Sequence, residues 1–362
     1  MPEKDSRGGP AACEPPFIEE LRRLGKEVEE ELYAYAQADA ELANRARRVL
    51  RTARRFRARV RDGQFDLVHI NTSFDTKALL RDAVVVPRLH SGGAKIFLKF
   101  HGSNAQLLET KNPALVLARR RLLAHADAIG VLSSEERSNF LRAGVPEQKV
   151  FQIKNVVEPA TNEPHTEFLR RWSLPEDVPR LLFIGRFIPA KGLLDVIRAC
   201  QLLRVQGQKF ELLCIGDGPA RRDAEQEVRR LNLGDQVRFP GYIPEGQTAE
   251  FYANSSVLLF PTYHYEGFPM AIFKSLAAGL PVITTRIRAA ADYLLEPDNC
   301  LWVEPKNPEM LAEKIVGLLH NPALQKRMGE NNRTLATQFD AKVVTQEYLK
   351  IYQTIAAPGP SD

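Results

Sequence analysis

The sequence predicts an α/β protein made of two Rossmann-like domains, each built on a doubly wound parallel sheet. The chain has 362 residues, which exceeds the usual size of a single hydrophobic core. Short apolar runs alternate with amphipathic helical segments along most of its length, and this alternation is typical of parallel sheets covered by helices. No run of about 18 apolar residues occurs, so no membrane-spanning helix is expected.

Composition and cysteine usage are those of an ordinary globular protein. Hydrophobic residues make up 44% of the chain and charged residues 26%. The four cysteines are scattered without metal-ligand spacing, and Cys200 and Cys214 fall in apolar segments, which favours buried free thiols in a reducing compartment. The first 13 residues lack the apolar stretch of a secretory signal. We therefore expect a cytoplasmic protein.

The first half of the chain is expected to form an N-terminal, acceptor-side domain over residues 1–158. Residues 1–12 are expected to be disordered and 17–35 helical. Apolar runs bounded by polar turns predict strands at 66–71, 95–100, 128–132 and 150–153. Helical periodicity predicts helices at 45–61, around Ala78, at 115–125, and from Ser134, with Ser133 or Ser134 as N-cap. A polar, proline-containing stretch at 155–165 indicates the domain linker.

The second half repeats the alternation more regularly. It is expected to form a C-terminal domain over residues 159–338, followed by a terminal helix and a disordered tail over 339–362. Strands are predicted at 181–184, 210–215, 237–239, 255–260, 281–284 and 300–303. Helices are predicted at 193–206, 220–231, 248–253, 308–319 and 341–355, with a further helix ending at Gly279.

The turn from Gly185 to Gly192 follows a strand and opens a helix. It carries two cations five residues apart, Arg186 and Lys191. An arginine can fork across two oxygens and a lysine supplies a mobile point charge, so the pair suits a diphosphate. The alternative is a surface turn with ordinary salt bridges. After the next strand, residues 216–218 form a glycine-rich turn that by itself indicates only a tight bend.

Residues 258–283 are predicted to run strand, loop, helix and strand. The loop contains one acid, Glu266. Gly267 permits close approach of the backbone, and Pro269 suits the first turn of the following helix. A carboxylate at the end of a strand, beside a helix N-terminus, suits a polyhydroxylated, phosphorylated ligand.

This stretch, with Glu266-Gly267-Phe268-Pro269 at its centre, resembles the donor-site signature of the retaining glycosyltransferases of family 4. The resemblance covers most of residues 66–355 and is strongest over 181–285. It implies the GT-B fold, with two domains facing across a cleft. It also implies a nucleotide-diphosphate sugar as co-substrate, a UDP- or GDP-sugar, and no other cofactor. The sequence contains no Asp-x-Asp and no metal-ligand spacing, so metal-independent transfer is expected.

The resemblance implies a role for each matching residue. Glu266 would bind the transferred sugar, Arg186 and Lys191 the diphosphate, and His101 would face the reacting centre. The terminal helix would cross back onto the first domain. The remaining donor-binding candidates are Gly185, Gly216, Asp217, Gly218, Tyr242, Gly267, Phe268, Pro269 and Lys274.

Lys274 departs from the family pattern, which has a second glutamate there to bind the ribose. An ammonium can only donate hydrogen bonds, so it cannot accept the ribose hydroxyls. Its cation could reach a phosphate instead, or the side chain could leave the site. The alternative to an enzyme is therefore a degenerate GT-B protein that binds a nucleotide or a partner without catalysis. A nucleotide-sugar epimerase of the same fold is a weaker option, because it does not explain the Glu266 loop.

On the acceptor side, His101 and Gly102 follow a predicted strand. A lone histidine is usually structural, but the resemblance places this one in a His-Gly turn that faces the donor sugar. Asn71, Ser73 and Asp75 are expected in the neighbouring loop, and together with Gly102 they are candidate contacts to the acceptor. That acceptor would be a sugar, a glycan or a lipid-linked molecule.

Nine arginines lie between Arg45 and Arg61, and a shorter basic cluster lies at 119–121. Apolar residues at helical spacing interleave with the nine, at Ala46, Val49, Ala53, Phe56 and Val60. The first interpretation is an amphipathic helix packed on its own domain. The second is peripheral contact with anionic lipid headgroups at the cytoplasmic face of a membrane. No nucleic-acid motif accompanies the charge, so nucleic acid is not an expected partner.

The start of the chain also resembles the family. Gly8-Gly9-Pro10 and the segment through Gly25 are similar to the family's first glycine-rich turn and helix. That turn normally follows a hydrophobic strand, whereas residues 1–7 are charged. Either the first strand is missing from this chain, or the resemblance here is accidental, and we favour the former.

Overall fold

The computed structural model describes residues 9–31, 42–63, 65–159 and 165–356. The chain divides into two compact units. The first comprises Met1–Asn155, Tyr265–Phe268 and Lys342–Asp362, and the second comprises Val156–His264 and Pro269–Ala341. Each contains a parallel sheet with helices, which confirms the predicted fold class. Within the described ranges, no helix combines the length and apolarity needed to cross a bilayer.

The first unit has a four-stranded parallel sheet in the order β1-β2-β3-β4. Its strands are β1 (Leu67–Phe74), β2 (Lys95–Ser103), β3 (Ala128–Val131) and β4 (Val150–Gln152). Its helices are α1 (Gly9–Arg23), α2 (Leu42–Gly63), α3 (Thr76–His90), α4 (Gln106–Glu109), α5 (Pro113–Ala124) and α6 (Ser134–Arg142). Ser133 caps α6 by accepting a hydrogen bond from the Glu136 amide at 3.2 Å, as predicted.

The second unit has six parallel strands in the order β10-β9-β8-β5-β6-β7. The strands are β5 (Arg180–Ile184), β6 (Glu211–Ile215), β7 (Val237–Gly241), β8 (Val257–Phe260), β9 (Val282–Thr284) and β10 (Cys300–Trp302). The helices are α7 (His165–Trp172), α8 (Leu193–Val205), α9 (Arg221–Arg230), α10 (Ala249–Ala253), α11 (Met270–Ala278), α12 (Arg288–Tyr293), α13 (Pro308–Leu319) and α14 (Pro322–Ala336). The chain leaves β5 towards β7 and then returns to its other side, so β5 lies at a topological switch point.

The core of the first unit contains a cluster of aromatic rings. Phe100 and Phe140 stack with ring centroids 5.5 Å apart, and Phe74 meets Phe100 edge to face at 5.3 Å. The basic helix α2 packs against this unit through Ala53 and Val60, which are buried. The predicted apolar stripe therefore faces the core at these two residues, and the arginines from Arg47 to Arg61 are exposed.

The terminal helix α15 (Ala341–Ala356) groups with the first unit from Lys342 onwards. Its Tyr348 is buried, and the Tyr352 hydroxyl lies 2.6 Å from His69 Nδ1. The Tyr348 hydroxyl donates to the Lys154 carbonyl at 3.1 Å. These contacts attach the last helix to the sheet of the first unit, on the face of β1 and β2.

Several predicted boundaries were wrong. The helix expected at 17–35 is α1, which begins at Gly9 and ends at Arg23. Gly25 has a φ of 74°, and the amide of Lys26 donates to the carbonyl of Leu21 at 3.0 Å. This is the Schellman arrangement that ends a helix, and residues 26–31 then have no regular structure. Residues 1–8, 32–41 and 357–362 lie outside the described residues, so the expectation about a first strand before the glycine-rich turn stays a prediction.

Other differences concern Asn71 and Ser73, the linker and the helices that were missed. Strand β1 continues through both residues, because its pairing with β2 extends to Phe74, so neither lies in a loop. Helix α7 begins inside the stretch interpreted as a linker, and α4, α12 and α14 were not predicted. Cys200 and Cys214 are buried free thiols, as expected.

Candidate active site

Three glycines at the carboxyl edge of the second unit's sheet form what we call the glycine cradle: Gly185, Gly216 and Gly218. Their φ angles are 148°, 133° and 155°. A methyl group on Gly216 would lie 2.0 Å from the Gly185 carbonyl oxygen, and one on Gly218 would lie 2.4 Å from the carbonyl oxygen of Phe187. Only glycine fits there. Close backbone turns at strand ends that open helices are suited to phosphate groups.

Arg186 and Lys191 lie on the turn between β5 and α8. Arg186 directly follows Gly185 and is exposed. The Lys191 ammonium lies 5.4 Å from the centre of the Phe260 ring and 3.5 Å from the position that a Cβ on Gly185 would take. The Lys191 side chain therefore folds back over the glycine cradle. The Lys191 ammonium is thus brought beside Gly185, the residue that directly precedes Arg186.

The same turn packs against the chain that leaves β8. Gly192 has a φ of 79°, and a Cβ added there would lie 2.5 Å from the Pro261 carbonyl oxygen. Strand β5 has β6 on one side and β8 on the other. In open α/β sheets, ligands bind outside the carboxyl ends of the strands at such a reversal. The glycine cradle occupies that position in this unit.

Asp217 and Tyr242 flank the cradle. The Asp217 carboxylate accepts a hydrogen bond from the Gly218 amide at 2.7 Å and lies 3.7 Å from Arg221 Nη1. The Gly216 amide donates to the carbonyl of Gly241 at 2.8 Å, which joins the turns after β6 and β7. The next residue, Tyr242, is 42% exposed. Asp217 thus stabilises its own turn, and contact of either side chain with a donor stays a prediction.

Glu266 belongs to the segment Tyr265–Phe268, which groups with the first unit, whereas the predicted C-terminal domain included it. A Cβ added to Gly267 would lie 3.0 Å from the His101 carbonyl oxygen. One added to Gly102 would lie 3.6 Å from the carbonyl oxygen of Tyr265. The Glu266 loop and the carboxyl end of β2 therefore pack backbone to backbone. His101 and Gly102 lie within this strand, so the turn that was predicted for them is wrong. Small residues at 102 and 267 permit this contact.

Pro269 was predicted to lie in the first turn of the helix, but it is the N-cap residue of α11. Its carbonyl accepts a hydrogen bond from the Ile272 amide at 2.9 Å. Phe268, just before it, is buried. The loop is therefore anchored on its C-terminal side by an apolar side chain and a helix start.

His101 is held by a chain of polar groups from three elements. The Asn71 side-chain amide donates to Glu14 Oε2 at 3.0 Å, and Asn71 Oδ1 lies 2.8 Å from His101 Nε2. A carboxylate can only accept, so the amide nitrogen of Asn71 faces Glu14 and its oxygen faces His101. Nε2 of His101 consequently carries the proton, and Nδ1 is left as an acceptor.

Glu14 pairs with Lys99 in the interior. The Lys99 ammonium donates to Glu14 Oε1 at 2.6 Å, and the two side chains are 2% and 1% exposed. Burial raises the pKa of Glu14, but the charge of Lys99 and the hydrogen bond that it donates more than offset this and hold that pKa below its usual value. Burial, together with the charge of Lys99, lowers the pKa of His101 to about 3. His101 is therefore neutral at pH 7.

In the described part of the chain, the same region contains a cluster of three side chains of the types that bind metal ions. One ligand atom each of Cys13, Glu14 and His101 lie within 4.8 Å of one another. Sequence spacing did not indicate this group, because it combines α1 with β2. The Lys99 ammonium already supplies a positive charge beside Glu14, and burial raises the pKa of the Cys13 thiol. A protonated thiol and a resident ammonium fit a buried ion pair better than a metal site.

The predicted acceptor contacts lie at the carboxyl ends of β1 and β2. The Ser73 hydroxyl donates to Asp75 Oδ2 at 2.6 Å. Asp75 Oδ1 accepts the amides of Lys77 and Ala78 at 2.8 and 3.0 Å, so Asp75 caps α3. Asn71 holds His101, as described above. Contact of Asn71, Ser73, Asp75 and Gly102 with an acceptor stays a prediction.

Sequence reasoning missed Glu14, Lys99 and the partner of Lys274. The Lys274 ammonium pairs with the carboxylate of Glu245. The signal for Lys99 was a single charge inside the apolar run 96–100. A charge on a strand buried on both faces requires an opposite charge nearby, but the sequence does not show that Glu14 is the residue that carries it.

Comparison with known proteins gives two family matches. Residues 17–161 match Glycosyltransferase Family 4, and residues 165–335 match Glycosyl transferases group 1. An uncharacterized glycosyltransferase of Methanocaldococcus jannaschii is 26% identical over 294 residues, which cover 80% of this chain and 76% of that protein. The alpha-D-kanosaminyltransferase of Streptomyces kanamyceticus is 25% identical over 252 residues, covering 67% and 64%.

A solved structure shows the same fold. The Anabaena protein HepE, in complex with UDP and glucose, superposes with a TM-score of 0.72 at 18% identity, covering 92% of this chain and 88% of HepE. The two family matches adjoin and span nearly the whole described chain. With two parallel-sheet units of the GT-B fold, the chain belongs to the group 1 glycosyltransferases of family 4.

Proposed function

We propose that this chain is a retaining, metal-independent glycosyltransferase that uses a UDP- or GDP-sugar. Its acceptor would be a hydroxyl group of a sugar, a glycan or a lipid-linked molecule. The observation that carries the proposal is the glycine cradle with Arg186 and Lys191 beside it. The complex of HepE with UDP and glucose supports a nucleotide sugar as donor.

In the proposed reaction, the bond between the anomeric carbon and the diphosphate oxygen breaks. The acceptor hydroxyl bonds to the same face of that carbon, and its proton passes to the departing diphosphate. Arg186 and Lys191 stabilise the negative charge that develops on the diphosphate, as preorganised donors do in other enzymes. The absence from the sequence of a second well-placed carboxylate nucleophile favours this front-face route over double displacement.

Glu266 and His101 would act on the sugar. Glu266 lies on the loop whose backbone packs on the carboxyl end of β2, where His101 lies, so one rigid contact would position both side chains. The carboxylate of Glu266 would accept hydrogen bonds from sugar hydroxyls. His101 would contribute a neutral imidazole, because its pKa of about 3 keeps it uncharged at pH 7. A neutral ring does not repel the positive charge that develops on the sugar in the transition state.

The test measures donor turnover across a panel of UDP-, GDP-, ADP- and TDP-sugars. Turnover is detected through the nucleotide that is released. We expect one donor to be consumed by the unmodified chain. Glu266→Ala should reduce this turnover by roughly a hundredfold or more, since it removes hydrogen bonds to the reacting sugar. Glu176→Ala, an exposed acid before β5, is the matched control and should be neutral.

The two outcomes separate the enzyme from its rival. Turnover that is lost in Glu266→Ala supports the transferase. Binding of a nucleotide sugar with no turnover, with and without added sugar acceptors, would instead support a degenerate GT-B protein that binds without catalysis. No binding of any donor would overturn the donor-site assignment itself.

The exposed face of α2 supports peripheral membrane contact at the cytoplasmic side. Arg47, Arg51 and Arg54 are exposed and share one face of the helix, opposite Ala53. None of these three pairs with a carboxylate of the described residues, whereas Arg59 pairs with Glu29 at 2.8 Å. A row of unpaired cations on a rigid surface is attracted to anionic headgroups.

This contact predicts binding to vesicles that contain phosphatidylglycerol and none to pure phosphatidylcholine, measured by co-sedimentation. The triple variant Arg47→Gln, Arg51→Gln, Arg54→Gln should bind roughly a hundredfold more weakly, given the usual contribution of an arginine near an anionic surface. A control triple, Arg204→Gln, Arg222→Gln, Arg229→Gln, removes the same charge from exposed positions of the second unit. Equal binding by both triples would contradict the assignment to α2.

A further inference from the structure

Lys274 is largely buried and its charge is compensated. It lies in α11, and its side chain is 12% exposed. Its ammonium pairs with the carboxylate of Glu245, whose side chain is 43% exposed. An ion pair with one partner buried and the other at the surface fixes the surface carboxylate in one position. Lys274 therefore neither leaves the site nor offers an uncompensated cation to a phosphate.

Glu245 lies on the same sheet edge as the glycine cradle. Strand β7 ends at Gly241, whose carbonyl accepts the Gly216 amide at 2.8 Å. The chain then passes through Pro244 into a short 3-10 helix, Glu245–Gln247. Glu245 is thus four residues beyond the carboxyl end of the strand next to the cradle. A nucleotide with its diphosphate on the cradle would extend along this edge.

Glu245 also keeps capacity to accept hydrogen bonds. A carboxylate has about four lone-pair sites, and the bond to Lys274 uses one of its two oxygens. The nearby Asp217 carboxylate is engaged by the Gly218 amide and Arg221, within its own turn. Ribose presents two adjacent hydroxyl groups, and an acid at a strand end is the usual acceptor for them in nucleotide-binding α/β sheets.

We propose that Glu245, held in place by Lys274, accepts the ribose hydroxyls of the donor nucleotide. The acidic group for the ribose then comes from the loop after β7 and not from α11, and Lys274 acts as its positioning residue. This inference rests on the proposed use of a nucleotide sugar. It accounts for a lysine at a position where the ligand requires an acceptor, because the lysine acts through its partner.

The test compares ribonucleoside with 2′-deoxyribonucleoside diphosphates by titration calorimetry, using UDP, GDP, ADP and their deoxy forms. The unmodified chain should bind one ribonucleotide about tenfold or more tighter than its deoxy form, the effect of one hydrogen bond to a charged group. Glu245→Gln should bring this ratio close to one and leave affinity for the deoxy form nearly unchanged. Glu176→Gln, at an exposed site before β5, should leave the ratio as it is.

A charge-swap variant gives a second readout. Glu245→Lys combined with Lys274→Glu keeps the pair but moves the carboxylate to α11, and it should restore discrimination that Glu245→Lys alone loses. Discrimination by Glu245→Gln equal to that of the unmodified chain would overturn the assignment of Glu245 and leave the nucleotide site standing. Failure of the unmodified chain to bind any of the nucleotides would overturn the proposed function, and this inference with it.

Discussion

Replacing Lys99 with methionine is expected to lower the free energy of unfolding by about 3–5 kcal/mol, the usual cost of removing one partner of a buried ion pair. Lys99 and Glu14 are almost fully buried and their charged atoms lie 2.6 Å apart. Without the ammonium, the Glu14 carboxylate keeps the Asn71 amide, at 3.0 Å, and the weakly donating Cys13 thiol, at 3.5 Å. It must then stay charged in the interior or take up a proton.

The measurement is equilibrium unfolding in urea at pH 7. Adding Glu14→Gln to Lys99→Met should recover at least half of the lost stability, because the buried charge is then gone and the glutamine oxygen can still accept from Asn71. Lys95→Met is the matched control on the same strand. Lys95 is 43% exposed and lies 3.4 Å from Asp127, so its loss should cost less than about 1 kcal/mol. Equal stability of Lys99→Met and the unmodified chain would contradict the argument.

The ion pair between Lys99 and Glu14 also determines the direction in which stability changes with pH. The pKa of Glu14 is lower in the folded chain than in the unfolded chain, where it is about 4.3. Its contribution to stability is therefore complete above that value and is lost as the pH falls below it. In Lys99→Met the pKa of His101 should rise above about 3, because the repulsion by the ammonium is gone. A histidine titration followed by NMR would detect this shift.

The fold was largely readable from the sequence because both sheets are parallel and buried. Such strands appear as short apolar runs, and runs such as 181–184 and 210–215 stand out between polar turns. Helix ends were harder where side chains carried no strong signal. Residues 26–31 contain good helix formers, and the turn at Gly25 overrides that preference through two backbone hydrogen bonds.

The candidate site likewise contains residues that the sequence predicted and residues that it did not. Its glycines, Arg186 and Lys191 lie within short segments, so spacing along the chain predicted them. Glu14 and Glu245 act through partners 85 and 29 residues away, Lys99 and Lys274. Pairings over such separations depend on how strands and helices pack, which single-sequence patterns do not contain. The departure from the family pattern at Lys274 was visible in the sequence. The position of its side chain could be described only from the structure, which shows the ion pair with Glu245.

Arg186→Ala and Lys191→Ala are each expected to weaken binding of the donor's nucleoside diphosphate by about tenfold to a hundredfold. Each removes one charge-assisted hydrogen bond to a phosphate, which is worth about 1.5–3 kcal/mol. Arg186 follows Gly185 directly, and Lys191 folds over it. If the two cations hold different phosphate oxygens, the double variant should lose the product of the two effects. Calorimetric titration with UDP and GDP measures the affinity of the two single variants and of the double variant.

Arg204→Ala is the control for loss of charge. Arg204 is exposed in the last turn of α8, and because α8 runs back from the carboxyl edge of β5, this end lies at the opposite edge of the sheet. Unchanged binding in Arg186→Ala and Lys191→Ala would show that the glycine cradle does not hold the diphosphate. A double variant no weaker than either single variant would show instead that both cations serve one phosphate group, so that the first substitution already removes the joint effect. The two results lead to different positions for the sugar, because a cradle that clamps both phosphates fixes the leaving oxygen and one that holds a single phosphate leaves it free to turn.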